Sequence, residues 1–129
     1  MPRADQRPRK KTSSDGFTIL VGRDAEGNDE LTLSADPDDF WLHVAGTEGS
    51  HVVVKNPDRV PRLPRATLRE AAALAAYYSK ARGARAAVVH YTEARHVSKR
   101  RRMPAGLVEL SRWETVRVAA ELPDLDEAP

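Results

Sequence analysis

Short β-rich runs recur along the chain and are separated by loops that carry glycine or proline. Val, Ile, Phe and Trp favour strands, so these runs predict a sheet. The strand candidates are residues 17–21, 40–44, 51–55 and 86–91. A glycine-containing loop joins the second and third candidates, which we expect to form a hairpin. Residues 107–110 and 115–119 are predicted to pair as a last hairpin.

Two segments have helix patterns. Thr67 and Glu70 form a T-x-x-E capping box, and the alanine-rich run after them ends at a glycine. We predict one continuous helix over residues 67–82, packed closely on the sheet because its side chains are small. Asn28 can cap a short helix over residues 29–34. The predicted fold class is α+β: a mixed, mainly antiparallel β-sheet with one long Ala-rich helix and one short helix packed on it.

The length of 129 residues suits one domain. We expect a disordered basic tail over residues 1–12, a folded domain over 13–120 and an acidic C-terminal tail over 121–129. No apolar run approaches the roughly 20 residues of a membrane helix, and no apolar stretch of a secretory signal follows the basic start. We therefore expect a cytoplasmic protein without a membrane partner.

Charge is distributed unevenly along the chain. The net charge is +2, yet residues 13–58 carry ten acidic and two basic residues, whereas residues 59–120 carry fourteen basic and four acidic ones. Strongly signed segments favour a face that binds a polyanion. The alternative is that segments of the sequence do not correspond to faces of the fold.

Several kinds of site are not expected. Without cysteine there are no disulfides, thiolate zinc sites or cysteine nucleophiles, and no two of the four histidines have the spacing of a helical ligand pair. Ser50 and His51 lack a G-x-S-x-G elbow, and residues 22–27 lack the Lys-Ser/Thr ending of a phosphate-binding loop. We therefore expect no catalysis, metal, cofactor or small-molecule substrate.

The densest basic run lies at residues 95–102, where five of eight positions are Lys or Arg. On a loop between strands, such a run can follow a phosphate backbone, and each Arg offers bidentate donors. A solvated surface loop is the alternative. The candidate RNA-binding residues in this run are Arg95, Lys99, Arg100, Arg101 and Arg102.

Trp41 and His43 fall on one face of a predicted strand, and their neighbours Phe40 and Leu42 fall on the other. An exposed aromatic ring on a sheet can stack an unpaired base. The alternative is that Trp41 is buried and that His43 makes a structural hydrogen bond. The sequence alone leaves both interpretations open.

Four blocks in chain order resemble the NFACT-R family. They are S-S-D-G-F-x-I-x-V-G-R at 13–23 with N-D-E-L-T at 28–32, D-D-F-W-L-H at 38–43 with G-S-H-V-V-V-K at 49–55, T-L-x-E-A-A-x-L-A-A-Y-Y-S-K-A-R at 67–82, and Y-T…V-x-K at 91–99 with P-x-G-x-V at 104–108. The chain departs from the family at Pro104-Ala105-Gly106, where Pro-Gly is usual, and in the basic residues 100–102.

The resemblance implies an α+β RNA-binding module without catalysis of its own. Its implied partner is tRNA or rRNA, including the large ribosomal subunit, in translation or ribosome quality control. The residues carried over from the family motifs are Arg23, Asn28, Trp41, His43, Ser50, His51, Lys80, Arg82 and Lys99. Asn28 can instead cap a helix, and Ser50 with His51 can brace the hairpin. The alternative function is a protein-interaction module that docks on a ribosomal or quality-control partner.

Overall fold

The computed structural model describes residues 7–128. Its elements are β1 (Arg9–Thr12), β2 (Thr18–Val21), α1 (Ala25–Leu33), β3 (Phe40–Val44), β4 (Val52–Val54), α2 (Arg65–Tyr77), β5 (Ala87–Glu93), a 3-10 turn (Ala94–His96), β6 (Val97–Ser98), β7 (Glu109–Leu110), β8 (Glu114–Val118) and β9 (Asp126–Glu127). Within this described part, seven strands form one sheet in the order β8-β5-β3-β4-β2-β1-β9. The neighbouring strands are antiparallel, so the α+β prediction is confirmed.

Helix α2 covers one face of the sheet. Its buried side is Leu74 flanked by alanines, all fully enclosed. The sheet presents Ile19, Leu42 and Val52 to it, each without exposed surface. Small side chains let the helix backbone approach the sheet, so branched residues of the strands fill the space between them.

The opposite face is covered by α1 and by the β6–β7 ribbon. Leu31 of α1, Trp41 of β3 and Val53 of β4 form a second buried cluster there. Val97 and Leu110 of the ribbon pack against this cluster. The central strands are therefore buried on both faces, which explains why β4 is an uninterrupted Val-Val-Val run.

The predicted capping box is wrong, because its residues bind another segment. Helix α2 begins before Thr67 and has no side-chain cap of its own. Instead, Oδ2 of Asp15 accepts from the Thr67 backbone N–H at 3.2 Å and from its hydroxyl at 2.7 Å. Glu70 accepts from the backbone N–H of Ser14 at 2.9 Å. The β1–β2 turn thus supplies the cap of α2 from 52 residues away.

The predicted helix also ends too late. Tyr78 leaves the helical backbone, and Ser79 forms an isolated antiparallel bridge with Gly49. The N–H of Lys80 donates to the Glu48 carbonyl at 3.0 Å. The segment after α2 therefore joins the β3–β4 loop instead of continuing the helix, which moves the side chains of this segment to the end of the sheet.

Two further local predictions are corrected. Asn28 is not a helix cap: Asp24 caps α1, accepting from the N–H of Gly27 at 2.6 Å. The predicted last hairpin does not form, since β7 pairs with β6 and β8 pairs with β5. Val116 and Val118 of β8 pack against the α2 side of the core, and this burial requires β8 to lie beside β5.

The predicted tails are partly ordered. Residues 9–12, expected to be disordered, form β1 and pair with β2, while residues 1–6 lie outside the described part. Near the C-terminus, β9 pairs with β1, and Lys11 forms an ion pair with Glu127. Over the described residues, the structure contains no helix long and apolar enough to span a membrane.

Candidate nucleic-acid interface

An open groove of about 1080 Å³ lies at one end of the sheet. It is bounded by Arg9 of β1, the start of α1, the β3–β4 loop, the segment that follows α2 and residues 104–107. These five segments are separate in the sequence. The predicted site residues that the structure brings together here are Arg23, Asn28, His43, Ser50, Lys80 and Arg82. We call this feature the basic groove.

Four cationic side chains line the basic groove, and one of them was missed by sequence reasoning. Arg23, Lys80 and Arg82 were predicted, whereas Arg9 was assigned to a disordered tail. The segment Arg9–Thr12 is basic and polar throughout, so it carries no alternation that could have indicated a strand. Asp24 and Glu48 are the acidic residues of the lining, so cations exceed anions by two.

The arginines on one wall are held against aromatic rings. The Arg82 guanidinium lies 4.0 Å from the Tyr77 ring centroid, and its Nε donates to the Tyr77 carbonyl at 2.8 Å. The Arg9 guanidinium lies 4.5 Å from the Tyr78 ring. Stacking occupies the flat faces of a guanidinium and leaves its terminal nitrogens for a phosphate. The two arginines are therefore oriented before any ligand binds.

The other two cations are held loosely. Lys80 pairs with Glu48 at 3.0 Å, and both side chains are well exposed. Exposed ion pairs contribute little free energy, so Lys80 can exchange Glu48 for another anion. Arg23 is exposed and donates from Nε to the Arg7 carbonyl at 2.7 Å.

His51 is part of the wall behind the basic groove and does not contact solvent, being 1% exposed. Its Nε2–H donates to the Gly106 carbonyl at 3.0 Å, so its Nδ1 accepts from the Thr32 hydroxyl at 2.7 Å. Thr32 in turn accepts from the Trp41 indole N–H at 3.0 Å. Burial, followed by the nearby His43, lowers the pKa of His51 to about 4. The neutral imidazole completes a satisfied hydrogen-bond chain.

Burial argues against the direct RNA contacts predicted for Trp41 and His51. Trp41 is 2% exposed, so little of its ring is available for a base to stack on. Asn28, 6% exposed, serves mainly as a brace, because its Oδ1 accepts from the His51 backbone N–H at 3.1 Å. Of the two interpretations that the sequence left open, the structural one holds for Trp41.

Two glycines shape the wall by allowing close approach. A Cβ on Gly22 would lie 1.9 Å from Oδ1 of Asn28, and a Cβ on Gly49 would lie 2.6 Å from the Ser79 Cβ. Neither position tolerates a side chain without movement of its neighbour. Close packing at the groove thus explains why glycine occupies positions 22 and 49.

The basic run at residues 95–102 does not form one continuous cationic surface. Lys99 is only 15% exposed; its Nζ donates to the carbonyls of Pro104 and Leu107 at 2.7 and 2.9 Å and pairs with Asp29 at 3.2 Å. The Lys99 ammonium thus holds the loop that forms one rim of the groove, which argues against the phosphate contact predicted for it. Gly106 is fixed as well, since its N–H donates to Asp29 at 3.0 Å.

The remaining members of the run differ in their partners. Arg95 pairs with Asp38 and, at 3.3 Å, with Glu93. Arg100 pairs with Glu109 at 2.7 Å. Across the described part of the chain, neither of the exposed residues Arg101 and Arg102 forms an ion pair. Only these two of the five cations present an uncompensated charge to solvent.

An α+β domain with an open cationic groove, a wall of close-packed glycines and arginines pre-oriented on tyrosines has the features of a polyanion-binding module. The sequence profile described as the NFACT protein RNA binding domain matches residues 8–112. The chain belongs to this family.

Similar proteins agree with this assignment. The chain is 41% identical over 115 residues to the Rqc2 homolog RqcH of Bacillus subtilis (strain 168), and 37% identical over 116 residues to that of Streptococcus suis (strain 05ZYH33). These matches cover 88% of this chain but only 19% and 20% of the relatives, so it spans about a fifth of their length.

A solved structure has the same fold. It is the C-terminal part of the fibronectin/fibrinogen-binding protein from Streptococcus suis, with a TM-score of 0.83 and 34% sequence identity. The match covers 92% of this chain and 47% of that chain.

Proposed function

We propose that this domain binds structured RNA through the basic groove and performs no catalysis. The observation that carries the proposal is the convergence of Arg9, Arg23, Lys80 and Arg82 on one open groove in a member of an RNA-binding family. Phosphate contacts fix the position of an RNA and supply most of its salt-dependent affinity.

The groove offers two kinds of contact. Arg9 and Arg82 present guanidiniums that are already oriented, which suits bidentate binding of phosphate oxygens. Ser50 and the β3–β4 loop also line the groove, and a hydroxyl and backbone amides suit sugar or phosphate oxygens. Arg101 and Arg102 extend the positive surface beyond the rim made by residues 104–107.

The RNA we propose is tRNA or rRNA, including rRNA of the large ribosomal subunit, bound in the cytoplasm during translation or ribosome quality control. The resemblance to NFACT-R domains and the likeness to RqcH proteins support this choice. No membrane, cofactor or small-molecule substrate enters the proposal.

The test is a charge-matched pair of variants. One replaces the four groove cations Arg9, Arg23, Lys80 and Arg82 with Gln. The control replaces four exposed arginines outside the groove, Arg59, Arg69, Arg85 and Arg117, with Gln. Affinity for bulk tRNA and for ribosomal RNA is measured over a range of salt concentrations.

We expect the groove variant to lose affinity and to flatten the log–log salt slope by about 0.7 to 0.9 for each phosphate contact removed. The control variant should keep most of its affinity and most of its salt slope, because its four arginines do not line one groove. Equal losses in the two variants would show that only net charge matters and would defeat the assignment of the groove.

The second candidate function is docking on a protein partner. It is favoured by the similarity to the solved structure of part of a fibronectin/fibrinogen-binding protein, and by the exposed apolar side chains of Leu107 and Trp113. Binding to one protein partner that persists at high salt, together with unmeasurable RNA affinity, would favour this function over RNA binding.

A further inference from the structure

The sequence suggested an exposed aromatic ring at Trp41, but the exposed tryptophan is Trp113. It is 49% exposed, and its ring lies over His90 with centroids 5.6 Å apart and a tilt of 39°. His90 lies on β5 directly opposite His43 on β3. The three rings therefore occupy one part of the sheet face that α2 does not cover.

These rings border a recess of about 280 Å³ between the sheet face and the segment that precedes β7. Its walls are aromatic or apolar, and they contain no Lys, Arg, Asp or Glu. The main lining side chains are Trp41, His43, His90, Leu110 and Trp113. We call this feature the aromatic recess. Its walls suit a flat, uncharged ring system, and its size lies near the lower end for small-ligand pockets.

The aromatic recess opens beside the basic groove. His43, Gly106 and Leu107 line both features. A nucleic-acid strand whose phosphates lie on the groove cations can thus turn one base toward the recess. An aromatic side chain of a protein partner would fill the same space, but it would not bring phosphates to the four adjacent cations.

We propose that the aromatic recess binds an unpaired nucleobase, which stacks on the exposed ring of Trp113, with the imidazoles of His90 and His43 beside it. This inference rests on the proposed RNA binding and adds its specificity: the domain prefers RNA that exposes unpaired bases beside a phosphate backbone. A paired base cannot enter, because its edge and both faces are engaged in the duplex.

The state of His43 agrees with such a role. Burial is the main cause that lowers its pKa, so the ring is neutral near pH 7. A hydrogen bond to the Gly49 backbone engages the N–H of this neutral ring, so its other nitrogen remains an acceptor for an amino group of a base. The groove cations supply the charge, and the recess supplies stacking and hydrogen bonds.

The test compares Trp113→Ala and Trp113→Phe with Leu122→Ala, which truncates another large apolar side chain of 49% exposure away from the recess. The probes are an RNA hairpin with a single-stranded loop and a fully paired RNA duplex of equal length. Thermal melting is recorded for each variant, and His90→Ala is the second variant if Trp113→Ala does not fold.

We expect Trp113→Ala to bind the hairpin about 5- to 150-fold more weakly, since stacking on an aromatic side chain typically contributes that much per base. Duplex affinity should be unchanged, and Trp113→Phe should retain most of the hairpin affinity. Leu122→Ala should behave like the unaltered protein with both probes.

Intrinsic fluorescence gives a second readout, because the chain has two tryptophans and Trp41 is buried. The hairpin should quench the emission of Trp113, and the quenching should be much smaller in Trp113→Phe, where only the buried Trp41 remains beside the recess. The duplex should quench it little.

The two proposals fail in different ways. If Trp113→Ala binds both probes normally while the groove variant loses both, the recess inference is wrong and the groove remains. If the groove variant also binds normally, the proposed function itself is wrong. Equal loss of hairpin and duplex in Trp113→Ala would likewise overturn the preference for unpaired bases.

Discussion

The basic groove and the basic run at residues 95–102 contain similar numbers of cations but hold them differently. In the run, three of the five cations pair with carboxylates. In the groove, Arg9 and Arg82 rest on tyrosine rings, which do not neutralise them. The groove is also assembled from five separate segments, whereas the run is contiguous.

The difference teaches that the density of cations in a sequence is a poor measure of available positive charge. An acidic residue placed by the fold, such as Asp29 beside Lys99, converts a candidate ligand into a structural clamp. Conversely, cations from sparse segments become a site when turns and bridges bring them together. Substitutions can therefore separate structural cations from binding cations and can test the buried contacts of His51 beside the groove.

The largest expected effect is a loss of stability when the buried side chain of His51 is removed. His51→Ala removes a buried ring and leaves the Thr32 hydroxyl and the Gly106 carbonyl without their partner. We expect the free energy of unfolding to fall by about 3 to 5 kcal/mol, as for other large-to-small core substitutions with lost hydrogen bonds. Urea denaturation measures this loss. Full stability with lost RNA binding would instead restore His51 as a direct contact.

Low pH should reduce the stability that the buried His51 contributes. The pKa of His51 is about 4 in the folded state, below its usual value near 6.5, so the unfolded chain binds a proton more readily between these values. Its contribution is fully present above pH 6.5 and is lost as the pH falls toward 4. The lowered pKa of His43 acts in the same direction.

The expected loss from His51 between pH 7 and pH 4 is about 3 kcal/mol. Urea denaturation at several pH values measures it, and His51→Gln, which cannot titrate, should show a flatter profile. A profile equally steep in that variant would mean that other groups control the acid response.

Lys99 and the pair Arg101 and Arg102 should behave oppositely, although they are close in sequence. Lys99→Met removes a clamp between the groove rim and Asp29, and we expect about 1 to 3 kcal/mol of lost stability. Replacing Arg101 and Arg102 with Ser should change stability by less than about 0.5 kcal/mol but should reduce the salt slope of RNA binding. Urea denaturation measures the stability of both variants, and salt titration measures the slope of their RNA binding. Unchanged stability in Lys99→Met would mean that Lys99 remains a candidate RNA contact.

The elements were predictable where local pattern and burial agree. The β-branched runs became β2, β3, β4 and β5, and the alanine run became α2. Ends were less predictable, because a distant segment determined them: Asp15 caps α2, and Gly49 captures Ser79 beyond its end. The two-residue strand β6 carries too little pattern to be recognised, whereas β7 lies within the predicted strand 107–110 but pairs with β6 and not with β8.

The site was predictable in part for the same reason. Six of the predicted residues line the groove, and all six belong to the family motifs. Arg9 was missed because its segment, Arg9–Thr12, is poor in apolar residues and carries no strand pattern. The ion pair of Lys99 could not be foreseen, because a sequence does not show that Asp29 lies beside it.

The smallest expected effect tests whether orientation of the groove cations matters beyond their charge. Arg82→Lys keeps the positive charge but loses the planar group that stacks on Tyr77 and binds phosphate in two places. Cation–π contacts at exposed sites contribute about 0.5 to 1 kcal/mol, so we expect RNA affinity to fall about two- to fivefold at constant salt slope. Arg85→Lys, exposed and outside the groove, is the matched control. If the two variants bind bulk tRNA equally well, the groove acts through charge alone, and the tyrosines beneath it serve only the fold.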